Sequence, residues 1–135
     1  MTQAEHHIVN PRELAPAVGY AHAVAAAAGR TVYLAGQTAR AQDGTINGKT
    51  IVEQFDVAAR NLTTALRAAG GRPEHLVSLQ IFVTDAAAYR DSLPALGESW
   101  RAHFGRHYPA MAVLGVSELF DPAAKVELMG IAVVP

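Results

Sequence analysis

The sequence contains no cysteine. Disulfide bridges, thiolate nucleophiles and thiolate metal sites are therefore excluded. Long apolar runs are also missing. The longest stretch of small apolar residues, Ala23–Ala28, is too short to cross a bilayer. Nor is there an excess of one charge: 11 Lys and Arg stand against 12 Asp and Glu, a formal net charge of -1. Proteins that grip nucleic acid through its phosphates carry a basic face or stripe. Here Arg60, Arg67 and Arg72 are dispersed, and Arg101, His103, Arg106 and His107 form only a modest cluster. Neither a nucleic-acid nor a membrane partner is expected. The opening residues up to His7 lack the basic-then-apolar order of a secretory signal, so a soluble cytoplasmic protein is expected.

What is present is an ordinary globular balance, with 50% hydrophobic and 17% charged residues. A chain of 135 residues fits one domain, taken as 1–135. The segment through Pro16 reads as an extended lead-in. Gly19–Val24 reads as a strand with Tyr20, His22 and Val24 on one face. Thr31–Gln37 alternates Val32 and Leu34 against Thr31, Tyr33 and Ala35. With the Gly29-Arg30 turn between them, these two segments predict a hairpin. Asp43-Gly44 and Asn47-Gly48 mark turns.

A helix is predicted from Thr50, with Ile51, Phe55, Ala58, Ala59, Leu62, Ala65, Leu66 and Ala69 along one face. Gly70-Gly71 ends it. Leu76–Val83 is a strand, with Val77, Leu79, Ile81 and Val83 on one side. Thr84 or Asp85 caps a second helix that runs to Gly105. Its buried side is Tyr89, Leu93, Leu96, Trp100 and Phe104, and Pro94 and Gly97 predict a kink or break. Ala110–Val116 and Lys125–Val134 complete the set. The fold class is α+β, a mixed sheet with two helices on one face. The late strands are too apolar to be wet on both sides, which predicts that other subunits cover the second face.

Several short pieces recur in a telling order: Gly19-Tyr20, Tyr33-Leu34-Ala35-Gly36-Gln37, Gln54…Asn61-Leu62, Phe82-Val83-Thr84-Asp85, Tyr108-Pro109-Ala110 and Lys125-Val126-Glu127. From about Asn10 to Val134, their order and spacing resemble the Rid/YjgF family, also called L-PSP endoribonucleases. The resemblance implies a chorismate-mutase-like fold of the bacillus type. It implies a homotrimeric barrel with helices outside and three clefts between subunits. In the family's deaminase branch those clefts hydrolyse enamines and imines, such as 2-aminoacrylate, to a keto acid and ammonia without a cofactor. An arginine two residues after the proline of the Pro-Ala motif clamps the substrate carboxylate. A glutamate on the last strand positions water, and a tyrosine near the N-terminus shapes the pocket.

Residue by residue, the match is split. Glu127 falls on the glutamate position and Tyr20 on the tyrosine position. Val113 falls where backbone groups hold the ligand. Met111 stands in place of the arginine, Ala35 replaces the serine before the Gly36-Gln37 pair, and Gly97 stands where an asparagine is common. The resemblance thus makes Glu127 the catalytic candidate and Tyr20, Ala35, Gly36, Met111 and Val113 the candidates for binding a small-molecule substrate. Arginine offers a carboxylate two parallel bonds, whereas methionine offers a flexible apolar arm. Loss of those bonds costs on the order of 10- to 100-fold in carboxylate affinity. The implied substrate is larger, neutral or more apolar than a small amino-acid-derived enamine, or else Arg101, Arg106, His107 or His22 supplies the missing group.

Each candidate has a plainer reading. Glu127, among Val126, Leu128, Ile131 and Val133, has apolar surroundings suited to proton transfer near neutrality, or it is a structural acid paired with Lys125 or an arginine. Tyr20 is a pocket wall or a partly buried aromatic whose hydroxyl reaches water. Gln54 and Asn61 share a helix side and read as loop anchors. Among six histidines, only His103 and His107 have a helical pair spacing, too weak for a metal site, so no metal is expected. Two readings of function remain: a hydrolase of imines, enamines or related metabolites, and a non-catalytic metabolite-binding trimer. A ribonuclease or translation-inhibitor role is disfavoured by the charge.

Overall fold

The computed structural model describes residues 5–135, so the first residues of the stretch inspected for a secretory signal lie outside it. Along the chain run β1 (His7–Val9), β2 (Ala23–Ala25), β3 (Arg30–Gln37), α1 (Ile51–Ala68), a 3₁₀ turn (Pro73–His75), β4 (Leu76–Val83), α2 (Ala86–Asp91), α3 (Leu93–Phe104), β5 (Ala110–Gly115) and β6 (Val126–Val134). This is an α+β arrangement around a mixed sheet.

Local chemistry explains the ends of α1. The Thr50 side chain accepts from the Glu53 N–H at 3.1 Å, satisfying one of the free donors of the first turn. At the other end Gly71 N–H reaches the Leu66 carbonyl (2.9 Å) and Gly70 N–H the Arg67 carbonyl (3.0 Å). That double closure needs a left-handed residue, and Gly70 has φ 88°. The predicted stripe faces inward: Ile51, Phe55, Ala58, Ala59, Leu62 and Leu66 are buried. Gln54 and Asn61 anchor loops. Gln54 Nε2 donates to the Gly48 and Ala123 carbonyls while its Oε1 accepts from Lys125 N–H, and Asn61 Nδ2 donates to the Thr38 and Arg40 carbonyls.

The kink or break expected at Pro94 and Gly97 is a break, just before Pro94, and the segment forms two helices. Asp85 caps α2 by accepting from Ala88 N–H at 3.0 Å. The chain breaks at Ser92, and Pro94 then sits in the first turn of α3, where its missing N–H leaves no bond unmade. Gly97 lies within α3 without interrupting it.

The main sheet has the order β3-β6-β4-β5, with β4 and β5 parallel and the other pairs antiparallel. The predicted hairpin does not form. β2 pairs with β1 in a separate two-stranded ribbon, and β3 pairs with β6. β6 offers β3 a long apolar partner, whereas Ala23–Ala25 offers three small residues. A turn signal marks where the chain reverses but does not say whether the flanking segments pair. Gly19 and Tyr20, expected inside a strand, lie in a bend before β2.

α1 packs on β3, β6 and α3, and the core lies between helices and sheet. Leu79, Ile81, Val83, Val126, Leu128 and Ala132 face it, each with no exposed surface. Val77 does not join them as expected. A register shift between Leu76 and Ser78 turns Leu76 into the core and leaves Val77 half-buried. The other sheet face carries Tyr33 beside Ile131, Met129 beside Gln80, and Glu127 beside Phe82. Tyr33 is 79% exposed there, Met129 40% and Ile131 37%.

Candidate functional site

The sequence-predicted residues divide into two groups, one on each side of the sheet. The first gathers where β5 meets α3 and the bend at Gly19. Gly19 adopts φ 76°, a left-handed turn that suits glycine. The chain is then held against β5, because Ala21 donates its N–H to the Pro109 carbonyl at 3.0 Å and bridges Ala110 in parallel. Tyr20 is thereby set beside the start of β5. Met111 and Val113 lie opposite Leu79 and Ile81 of β4, on the helix-facing side. Met111 packs against the core, while Val113 is partly exposed.

Tyr20, Met111 and Val113 border a cavity of about 550 Å³ that also touches Trp100, Tyr108 and Arg101. Trp100 is fixed from two directions. Its Nε1 donates to the His107 carbonyl at 3.1 Å, and its ring stacks on Tyr108 with centroids 5.7 Å apart and planes 7° from parallel. Tyr89 lies on the same wall, and burial pushes its phenol above the usual tyrosine range, so the hydroxyl remains a donor at neutral pH. Among the described lining residues Arg101 is the one charged group.

The second group lies across the sheet. Glu127 is half-buried opposite Phe82 on the face turned away from the helices. Between Leu34 and Gln37 the β3–β6 register slips by one residue, forming a bulge at Ala35-Gly36. Bulges re-aim what lies beside them. Here the bulge lays Gly36 over the Glu127 carboxyl, so closely that a Cβ on residue 36 would fall 2.5 Å from Oε1 and 2.9 Å from Cδ. Ala35 is exposed beside it. The ion pairs of the described residues are Arg72–Glu74 and His103–Asp56, so Glu127 is not salt-bridged to Lys125 or to an arginine among them.

The remaining candidates are dispersed. The His22 ring lies 5.1 Å from that of Tyr20, but its Nε2 is taken by the Ala15 carbonyl at 2.7 Å. His22 and Tyr20 also border a shallower cavity of about 380 Å³ with Ser78 and Gln80. His107 Nε2 bonds the Leu76 carbonyl at 2.8 Å, and Arg106 is exposed and outside the described lining of the larger cavity. His103 bonds Asp56 at 2.8 Å, so His103 and His107 take different partners. Trp100 was legible as a buried aromatic and Tyr108 only as part of the Tyr108-Pro109-Ala110 motif, neither as a cavity wall. Their signal is a pair of aromatics flanking the Gly105 turn.

The family model described as Endoribonuclease L-PSP matches residues 10–134. A solved structure of the Rid-family protein YyfB from Yersinia pestis is 28% identical, covers 97% of this chain and 100% of its own, and superposes with a TM-score of 0.87. A YjgF-family protein from Mycobacterium tuberculosis is 30% identical over 96% of this chain and 100% of its own, with a TM-score of 0.65. RidA from an Antarctic Psychrobacter is 25% identical over 95% and 99%, with a TM-score of 0.68. No curated protein matches.

Proposed function

Because this chain belongs to the endoribonuclease L-PSP family, the family of Rid and YjgF proteins, we propose that it is a homotrimeric hydrolase of imines or enamines, with each site closed between two subunits. One observation carries this reading. The acid and the cavity lie on opposite faces of one sheet, so a single chain cannot bring them to one ligand. β3 and β5 are the two edges of that sheet. A neighbour whose β5 edge crosses the open face of this chain joins its own cavity to this chain's Glu127. The same contact covers Tyr33, Met129 and Ile131.

The chemistry needs only positioned water and a proton carrier. Glu127 takes a proton from water as the oxygen bonds the imine carbon and the C=N electron pair moves to nitrogen. The nitrogen is protonated, the C–N bond breaks, and ammonia leaves as the carbonyl forms. Imine plus water gives carbonyl plus ammonia, with no redox change. Met111 and the aromatic wall favour a substrate with a bulkier, more apolar body than 2-aminoacrylate. A second reading is metabolite binding without turnover. It is favoured by the cavity's lining, which includes no carboxylate among the described residues of one chain. A ribonuclease role is disfavoured by the formal net charge of -1.

The test is hydrolysis of freshly generated 2-iminopropionate and of imines with larger apolar groups, comparing the unaltered protein with Glu127→Ala. Acceleration of a bulky imine, lost in the variant, supports the hydrolase. Rates equal to those without protein favour the binding-only reading.

A further inference from the structure

We propose that Arg101 is the anion-binding residue of the larger cavity and that the ligand is an amphipathic carboxylate with a bulky apolar body. This rests on reading that cavity as the substrate site, but not on turnover there.

The argument begins with spacing. Gly97 and Arg101 are four apart on α3 and so lie one above the other on a single helix face. Helical side chains lean toward the N-terminus, which carries Arg101 back over position 97. Since Gly97 has no side chain, the guanidinium occupies the room left there: a Cβ on residue 97 would stand 3.4 Å from Nη1 and 3.9 Å from Nη2. Both residues line the cavity, together with Trp100 on the next turn.

Next comes the charge. Arg101 takes part in neither ion pair of the described residues. Of the arginines there, Arg72 pairs with Glu74 and Arg30 donates to the Ala69 carbonyl, and among the described residues Arg101 is the one that lines the cavity. Apolar walls weaken solvent screening, so a cation at the rim of such a cavity attracts an anion more strongly than one on an open surface. A guanidinium also presents the planar fork that matches a carboxylate.

The ligand's other end follows from the walls. Tyr20, Trp100, Tyr108, Met111 and Val113 offer mainly aromatic and aliphatic surface. The volume of about 550 Å³ is in the range of small-molecule sites. Met111 then contacts the body of the ligand, and the charge is held from the helix instead of the strand.

Trp100 is the one tryptophan of the chain and lines the cavity, so its fluorescence reports occupancy. The full-length protein is titrated with 3-phenylpropanoate and with the neutral 3-phenylpropanamide, as are Arg101→Gln and Arg101→Lys, with thermal melting as a check on folding. The acid is expected to bind the unaltered protein about 10- to 100-fold more tightly than the amide. Arg101→Gln removes that preference without weakening the amide, and Arg101→Lys keeps part of it. Equal affinities in the unaltered protein, binding of neither probe, or a preference that survives Arg101→Gln would each overturn the proposal. Glu127→Ala separates it from the hydrolase reading. If no imine is hydrolysed yet the preference stands, only the hydrolase reading falls. Hydrolysis without the preference sinks this inference alone.

Discussion

Beneath the helices, the sheet presents Leu79, Ile81, Val83, Val126 and Leu128, each fully withdrawn from solvent. On its other side it presents Tyr33, Met129 and Ile131, apolar or aromatic side chains left substantially exposed beside Glu127. Both faces alternate from the same strands, so the difference lies not in strand composition but in what covers each. The covered face is finished within one chain. The other has the makings of a second buried layer and holds the one acid that the family resemblance singles out. A core residue and a candidate site residue can thus be neighbours in sequence, as Leu128 and Glu127 are, and face different surroundings.

The largest expected effect tests that asymmetry directly. Leu128→Ala should cost about 2–5 kcal/mol in chemical denaturation, because it opens a cavity in the closed core. Ile131→Ala should cost much less in a dissociated protomer. If the proposed trimer forms, Ile131→Asp should release protomers on sedimentation, since a charge would be buried without a partner. Equal costs for Leu128→Ala and Ile131→Ala at concentrations that favour the protomer would erase the distinction between the faces.

Gly36→Ala sharpens the comparison at the acid. The new methyl group displaces the Glu127 carboxyl, so if the proposed hydrolase reading holds, imine turnover should fall by about 100-fold. The melting temperature should change little, because residue 36 is on the exposed bulge. Unchanged turnover would show that the position of the carboxyl over Gly36 is immaterial.

The next effect concerns pH and the far end of the sheet. His75 is buried, and its Nδ1 accepts from the Arg72 N–H at 3.0 Å. Burial first, then Arg72, with His6 and His107 adding to them and Glu74 opposing, holds the ring below the usual histidine range. The unfolded chain therefore takes up this proton first on acidification. The contribution is complete above about pH 6.5 and is lost as the pH falls below it toward the lowered folded value. In His75→Gln, the drop in melting temperature between about pH 7.5 and about 5.5 should be shallower than in the unaltered protein. A parallel drop in both would assign the acid sensitivity elsewhere.

The smallest effect belongs to Asp56 on α1. The Ser99 hydroxyl bond at 2.7 Å, against the opposing effect of partial burial and with His103 beside it, lowers its carboxyl. That contribution is present above the ordinary carboxylate value and disappears as pH falls through the lowered one. Ser99→Ala should move the Asp56 titration upward by NMR with little change in stability at neutral pH, since the carboxylate is about half exposed.

Much of the fold was legible because its signals are short-range. Thr50, the apolar stripe of α1 and Gly70 each act within one or two helical turns, and the helix ends where they say. The site was legible only in part. Glu127, Gly36, Tyr20 and Met111 drew notice through a pattern spread along the chain, but nothing in their spacing shows that two lie on one sheet face and two near the other. Arg101 was one cation among several. Its place in the cavity depends on the angle at which α3 meets β5 and on Gly97 leaving room.

By itself, the sequence determined where α1 starts and stops, which side of it is apolar and where the chain turns, because those outcomes are set by residues a few positions apart. Strand partnership was decided only by the tertiary structure. β3 joins β6 from nearly a hundred residues away, and single-residue slips at Leu76–Ser78 and at Ala35-Gly36 choose which side chains enter the core and which bears on Glu127. The physical reason is that one residue of register reverses a strand's faces, and register is settled by competition among distant partners that no local pattern records.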